Sequence, residues 1–163
     1  MAEKFKVPVE KGKRYTIDIL RLGSNGEGVG RVENFTVFVD GALPGETVTA
    51  RITFVKKQYA TGRLEKVQKP SEYRVKPPCS VYAECGGCQL QHLSYEGQLA
   101  EKRQQVQDAV ERIGKLKDIP ILPTLGADDP WAYRNKMQLP AGGDKKSLHI
   151  GCFAEKSHRI IDI

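Results

Sequence analysis

Three of the four cysteines lie between residues 79 and 88, and this clustering constrains the fold more than any other feature of the sequence. Cys79, Cys85 and Cys88 are separated by five and then two residues, and the shorter gap consists of Gly86 and Gly87. A glycine loop lets two thiolates face one centre and lets backbone N–H groups approach it. The N-terminal residues lack the apolar segment of a secretory signal, so disulfides are not expected. The spacing therefore predicts a metal or iron–sulfur site.

Three interpretations of these thiols remain open: an iron–sulfur cluster, a structural zinc site, and unligated buried or redox-active thiols. Structural zinc sites usually combine two matched cysteine pairs, or one pair with two histidines, and neither pattern is present. This favours iron–sulfur over zinc. A fourth ligand within the chain would have to be Cys152 or a histidine. The sequence around Cys152 favours an ordinary buried thiol in a strand.

The residues before the cysteines alternate between apolar and polar in the manner of short strands, with glycine and proline turns between them. In the third of these strands Val48, Ala50, Ile52 and Phe54 fall on one face. The glycine-rich residues 23–31 lack the Lys-Ser/Thr of a phosphate-binding loop and are predicted to form a sharp bend. The pattern predicts a mainly β chain with one long helix and a small closed barrel over residues 1–70. The four predicted strands are Tyr15–Leu22, Phe35–Asp40, Thr47–Val55 and Tyr59–Val67.

The net charge of +6 is carried entirely by residues 1–78, which hold 15 Lys and Arg against 9 Asp and Glu. A basic module beside a neutral one predicts contact with a polyanion such as nucleic acid. Lys and Arg would meet phosphates, and Tyr59 would stack on an unpaired base. The alternative is a solvated turn with scattered charge. The candidate RNA-binding residues are Lys56, Lys57, Tyr59, Arg63, Arg74 and Lys76, with Arg134 and Lys136 as a weaker second patch.

The residues after the barrel are predicted to form three further segments: a linker with the cysteine loop over 71–93, an amphipathic helix over 94–114, and an incomplete α+β domain over 115–163. Ser94 is the predicted N-cap of the helix. The chain ends within an apolar β run, which predicts a fragment of a longer protein. Strands are predicted at Tyr133–Leu139, Leu148–Phe153 and His158–Ile163, with a hairpin tip at Asp144–Lys146.

Two parts of the sequence resemble the RNA (uracil-5-)-methyltransferases that carry an N-terminal TRAM domain and a [4Fe-4S] cluster. The first is Gly26–Arg31 together with Ala42–Glu46, which resembles TRAM, an OB-like RNA-binding barrel. The second and more specific part is the cysteine segment with the residues that follow it, Cys79–Leu93. Tyr133–Lys136 and Gly151–Arg159 are similar to the central domain of the family.

The resemblance implies that Cys79, Cys85 and Cys88 ligate the cluster and that the fourth ligand lies beyond Ile163, with Cys152 the less favoured choice. It places the S-adenosylmethionine site and the catalytic residues beyond Ile163 too, so no catalytic residue is expected within this chain. The helix would pack on that further domain. The complete protein would be a monomeric, cytoplasmic enzyme, without membrane contact, that methylates C5 of a uridine in structured ribosomal RNA. Two alternatives remain open: a stand-alone TRAM-type RNA-binding adaptor with a structural metal site, and a redox sensor.

Overall fold

The computed structural model describes residues 7–144 and 146–163, which form two compact units, residues 7–74 and residues 75–163. No helix among these residues is both long and apolar enough to span a bilayer. The predicted barrel domain ended at residue 70, four residues before the end of the first unit.

The first unit is a five-stranded closed barrel, as the alternation of its sequence predicts. The strands are β1 (Arg14–Leu22), β2 (Gly28–Val32), β3 (Phe35–Asp40), β4 (Thr47–Val55) and β5 (Tyr59–Lys69). They close in the order β1-β2-β3-β5-β4, and every pair is antiparallel except β3 with β5. The inward residues of these strands are almost fully buried and form one apolar core. The predicted small OB-like barrel is therefore confirmed.

Strand β2 lies inside the glycine-rich stretch for which the sequence predicted only a bend. Gly28 and Gly30 are buried and pair with β1 and β3. A Cβ at Gly30 would lie 2.5 Å from the carbonyl oxygen of Asp18, and one at Gly28 would lie 2.7 Å from that of Ala42. These glycines therefore serve close strand packing in addition to chain bending.

Strand β4 has the predicted bounds, but one of its four predicted core residues faces outward. Val48, Ala50 and Ile52 are buried, whereas Phe54 is 48% exposed. The pairing of β4 with β5 is irregular between Ile52 and Phe54, since Ile52 pairs with Gly62 and Phe54 with Thr61. A bulge adds one residue on one strand and so turns the side chains beyond it to the other face. The prediction of an inward Phe54 was therefore wrong.

The second unit contains one helix and a three-stranded sheet. Helix α1 (Tyr95–Asp108) continues into a π-helical turn at Ala109–Ile113. The Ser94 side chain accepts a hydrogen bond from the Gly97 N–H at 3.2 Å, which confirms the predicted N-cap. The predicted apolar stripe of the helix is only partly covered in this unit: Ile113, for example, is 82% exposed.

The sheet of the second unit has the order β6-β7-β8. Its strands are β6 (Ala141–Gly143), β7 (Leu148–Phe153) and β8 (Ile160–Asp162). The predicted hairpin is present, with Asp144 N–H donating to the Ser147 carbonyl, although Lys145 of the predicted tip lies outside the described residues. The first strand of this hairpin is β6, and Tyr133–Leu139 does not form the predicted strand. Tyr133 and Met137 are exposed, and this segment has no neighbouring strand to pair with among the described residues.

Candidate nucleic-acid interface and cysteine site

The turn between β4 and β5 brings together two of the predicted RNA-binding residues. Lys56 is exposed, and its Nζ lies 5.4 Å from the centre of the Tyr59 ring. Lys57 is exposed in the same turn. The Lys56 N–H donates to the Tyr59 carbonyl at 2.8 Å, which closes the turn and holds both ends of it. A cationic and aromatic group of this kind suits a nucleotide, which offers a phosphate and a flat base.

Two aromatic side chains that the sequence analysis did not select belong to the same cluster. The Phe38 ring meets the Tyr59 ring edge to face, with centroids 5.4 Å apart and an interplanar angle of 88°. The Lys56 Nζ lies 5.8 Å from the centre of the Phe54 ring. The sequence did not single out Phe38, because a phenylalanine in a β-strand normally packs in the core. It did not single out Phe54, because the bulge in β4 turns this side chain to the opposite face. We call Phe38, Phe54, Lys56 and Tyr59 the aromatic cluster.

Arg63 is exposed on β5 and lies two positions beyond Thr61, on the outward face that also carries Tyr59. Its pairing partner on β4 is Arg51. Arg51 Nε donates to one carboxylate oxygen of Glu65 at 2.6 Å, and Arg14 donates to the other. The outward face of β5 is therefore basic around Arg63, and the single carboxylate of Glu65 is shared by two arginines.

Arg74 has a partner within the barrel unit that the sequence analysis did not foresee. Its guanidinium forms two hydrogen bonds with the Glu46 carboxylate and donates to the Gly41 carbonyl at 2.7 Å. Glu46 is only 1% exposed and also accepts from the N–H groups of Leu43 and Ser71. Burial alone would raise the pKa of Glu46, but the hydrogen bonds from Arg74 and the two backbone groups outweigh it and hold the pKa below its usual value. We therefore leave Arg74 out of the RNA surface that we propose.

The remaining basic candidates, Lys76, Arg134 and Lys136, belong to the second unit and are exposed. The Arg134 guanidinium lies 5.9 Å from the centre of the Tyr133 ring. A hydrogen bond with Tyr133 is the main cause that raises the pKa of Arg134, and Cys88 and Cys152 raise it further.

Strand pairing brings Cys152 next to the cysteine loop. Cys85 forms an isolated antiparallel bridge with Ala154, and the Gly86 N–H donates to the Phe153 carbonyl at 2.9 Å. A Cβ at Gly87 would lie 3.1 Å from Cys152 Sγ and 3.4 Å from Cys85 Sγ. Burial raises the pKa of the Cys152 thiol, and Cys85 and Cys88 raise it further. The structure thus brings the thiols of Cys85 and Cys152, from two distant segments, close to Gly87, which has no side chain.

These thiols fit an iron–sulfur cluster by donor type but do not form a complete metal site. The Gly87 N–H donates to Cys85 Sγ at 3.4 Å, which is the kind of contact that stabilises a thiolate ligand. Gly87 also leaves space between two of the sulfurs. Among the described residues, however, no group of three or more Cys, His, Asp or Glu is arranged to hold a metal ion. Cys79 is half-buried, and its N–H donates to Gln91 Oε1 at 3.4 Å.

Comparison with known proteins finds a family model that matches the barrel and longer proteins that match nearly the whole chain. Residues 8–64 match the TRAM domain family. The chain is 48% identical over 160 residues to a protein of Clostridium tetani named an uncharacterized RNA methyltransferase, which covers 98% of this chain and 35% of that protein. A similarly named protein of Halalkalibacterium halodurans is 48% identical over 157 residues, covering 95% of this chain and 34% of its own length. The chain therefore spans about a third of the length of these relatives.

One solved structure is similar over almost the whole chain. It is the crystal structure of Pyrococcus abyssi tRNA (uracil-54, C5)-methyltransferase in complex with S-adenosyl-L-homocysteine. The two are 30% identical with a TM-score of 0.56, over 90% of this chain and 31% of the other. Residues 8–64 of the first unit are thus similar to the TRAM domain family, and the chain as a whole resembles part of RNA methyltransferases.

Proposed function

We propose that this chain is the RNA-recognition part of an S-adenosylmethionine-dependent RNA (uracil-C5)-methyltransferase. The observation that carries the proposal is the similarity to the uracil-C5 methyltransferase of Pyrococcus abyssi, which extends over 90% of the chain and through both units. A barrel match alone would support RNA binding without an enzyme. Similarity that continues through residues 75–163 favours a methyltransferase over a stand-alone adaptor.

The proposed RNA surface is the outward side of the β4–β5 turn and of β5. Lys56, Lys57 and Arg63 supply positive charge, and Tyr59 supplies a ring. Phosphate contacts position an RNA and base contacts select it, so such a face would hold the RNA around the reactive uridine. We propose ribosomal RNA as the substrate, as the resemblance of the cysteine segment implies, and transfer RNA is the competing outcome of the experiment.

We further propose that Cys79, Cys85 and Cys88 hold a [4Fe-4S] cluster in the complete protein. The support is the donor type, the Gly87 N–H on Cys85 Sγ and the space that Gly87 leaves beside that sulfur. A bound cluster would supply structural cross-linking of the cysteine loop. S-adenosylmethionine would supply the methyl group.

The function is tested on the complete protein with labelled S-adenosylmethionine and separate ribosomal and transfer RNA transcripts. We expect label in ribosomal RNA, and nucleoside mass spectrometry should identify 5-methyluridine. The double variant Lys57→Glu/Arg63→Glu should raise KM for RNA while leaving the KM for S-adenosylmethionine unchanged. Label in transfer RNA alone would show that transfer RNA is the substrate in place of ribosomal RNA. Absence of label in both RNAs would contradict the proposed function.

The cluster is tested by iron, sulfide and zinc analysis of the complete protein purified without oxygen. We expect about four iron and four sulfide per chain, as a [4Fe-4S] cluster requires. Gly87→Ala should lower both, because its methyl group would crowd the Cys85 and Cys152 sulfurs. Ser80→Ala is an exposed control in the same loop and should change neither. One zinc per chain without sulfide would exclude the cluster.

A further inference from the structure

The aromatic cluster is an outlier on the barrel surface. Leu20 and Phe54 are the exposed large apolar side chains among the described residues of the first unit. Leu20 lies at the pairing irregularity between β1 and β2, whereas Phe54 shares the Lys56 ammonium group with the Tyr59 ring. Isolated exposed apolar side chains are ordinary, but an exposed ring within a basic group is typical of a binding surface.

The register of the barrel explains how three strands bring these rings together. Thr61 on β5 pairs with Phe38 of β3 on one side and with Phe54 of β4 on the other. Tyr59 is two residues from Thr61 and so lies on the same face. The bulge before Phe54 is therefore the feature that adds the third ring to this face.

The Lys56 ammonium group lies over the rings of Phe54 and Tyr59 but does not hold them in place. Its Nζ is 5.8 Å from the Phe54 centroid and 5.4 Å from the Tyr59 centroid, so it is shared between them. A cation–π contact at an exposed site is weak, and a lysine stem is flexible. The ammonium group can therefore leave the rings for a phosphate at little cost, and the Phe54 face becomes available to a flat ligand.

We propose that the aromatic cluster binds one unpaired RNA base, which stacks on Phe54 while Lys56 moves onto the adjoining phosphate. This inference rests on the proposed function and adds to it the form of RNA at this face: a single-stranded nucleotide. The faces of bases inside a helix are already covered, so a duplex offers phosphates but no ring to Phe54. Lys57 and Arg63 carry the charge that guides the strand to the cluster.

The test measures binding of two RNAs by the full chain: a ten-nucleotide single strand and a hairpin stem with the same number of phosphates. Phe54→Leu keeps an apolar side chain but removes the ring. We expect it to weaken single-strand binding about fivefold to 150-fold, the range for loss of one base–aromatic stack. The stem should change less than about twofold, since only phosphates contact the protein there. Phe54→Tyr should restore single-strand affinity.

A 2-aminopurine base in the single strand gives a second readout, because its fluorescence is quenched when it stacks on a ring. We expect quenching on wild type and on Phe54→Tyr, and none on Phe54→Leu. Leu20→Ala removes the other large exposed apolar side chain among the described residues of the barrel. It should leave the affinities for both RNAs and the fluorescence quenching unchanged. Circular dichroism confirms that each variant is folded.

The outcomes separate this inference from the function on which it rests. If Phe54→Leu lowers the affinity for both RNAs equally, or for neither, the proposed stacking of a base on Phe54 is wrong. If Lys57→Glu/Arg63→Glu weakens RNA binding while Phe54→Leu does not, the proposed RNA surface is supported and only the stacking of a base on Phe54 is wrong. If neither variant changes binding, the proposed RNA surface fails as well.

Discussion

The barrel and the segment after it bury their apolar residues to very different degrees. In the barrel, Ile17, Val37 and Val48 are at most 1% exposed. In residues 75–163, Leu125 and Ile113 are almost fully solvent-exposed, and few large side chains are buried. The second unit has only two strands of three residues and one of six in its sheet, so it cannot enclose a core as five closed strands do.

From this difference we expect the stability of the chain to be concentrated in the barrel. The aromatic cluster is therefore presented on a rigid scaffold, while the cysteine loop is held by local turns and by the bridge to Ala154. Substitutions of the same chemical type should have large effects in the first unit and small effects in the second.

The largest expected effect comes from Glu46→Ala. The variant leaves Arg74 and the N–H groups of Leu43 and Ser71 without their acceptor. Removing one partner of a buried ion pair costs about 3–5 kcal/mol of the free energy of unfolding. Urea unfolding followed by circular dichroism measures it. Glu65→Ala removes a more exposed carboxylate that also pairs with arginines, and it should cost far less. Equal losses would contradict the structural role of Glu46.

The second-largest effect is expected from replacing an isoleucine by alanine in the barrel, compared with the same replacement in the second unit. Ile17→Ala opens a cavity in the barrel core and should cost about 2–5 kcal/mol. Ile113→Ala removes the same side chain at an exposed position and should change stability by less than about 0.5 kcal/mol. The unfolding free energies of the two variants give the comparison. A loss at position 113 as large as that at position 17 would show that the second unit has a core of its own.

A smaller effect is expected from Ser94→Ala, which removes the side-chain acceptor for the Gly97 N–H. Loss of an N-cap costs about 0.5–2 kcal/mol. The cost should fall on α1 alone, so hydrogen exchange should accelerate at the first turn of the helix and stay unchanged in the barrel. Unchanged exchange at the first turn of α1 would contradict the capping role of Ser94.

The smallest expected effect is the pH dependence of barrel stability, which we assign to the single carboxylate of Glu46. Because the pKa of Glu46 is lowered in the folded state, its carboxylate stabilises the fold above its ordinary value of 4.5, and this contribution is lost as the pH falls below that value. Wild type should therefore lose stability more steeply than Glu46→Gln as the pH falls below about 4.5. Parallel curves for the two proteins would contradict the assignment.

Local patterns predicted most of the barrel, because period-two alternation depends only on neighbouring residues. The bounds of β3 and β4 agree with the prediction, and β5 is two residues longer. Strand β2 was missed because its glycines carry no alternation. Phe54 was placed on the wrong face because the bulge depends on the register with β5, which the sequence of β4 does not contain.

The candidate sites were predictable to the extent that their residues lie close in sequence. Lys56 and Tyr59 share one turn, and in the structure the Lys56 Nζ lies 5.4 Å from the centre of the Tyr59 ring. The proximity of Cys152 to Cys85 depends on pairing between a loop and a strand 67 residues apart in sequence, and no local pattern reports it. The link between Arg74 and Glu46 is long-range in the same sense, so charge alone could not distinguish Arg74 from a phosphate-binding residue.

The most direct test of the RNA surface compares charge reversal in the two units. Lys56→Glu/Lys57→Glu changes the β4–β5 turn, and Lys115→Glu/Lys117→Glu makes the same change at exposed positions of the second unit. The dissociation constant for single-stranded RNA is measured for both over a range of salt. We predict that the first variant binds more weakly and that its slope of log Kd against log salt falls by roughly 1.5, while the second matches wild type. Equal slopes for both variants would contradict RNA recognition by this face of the barrel.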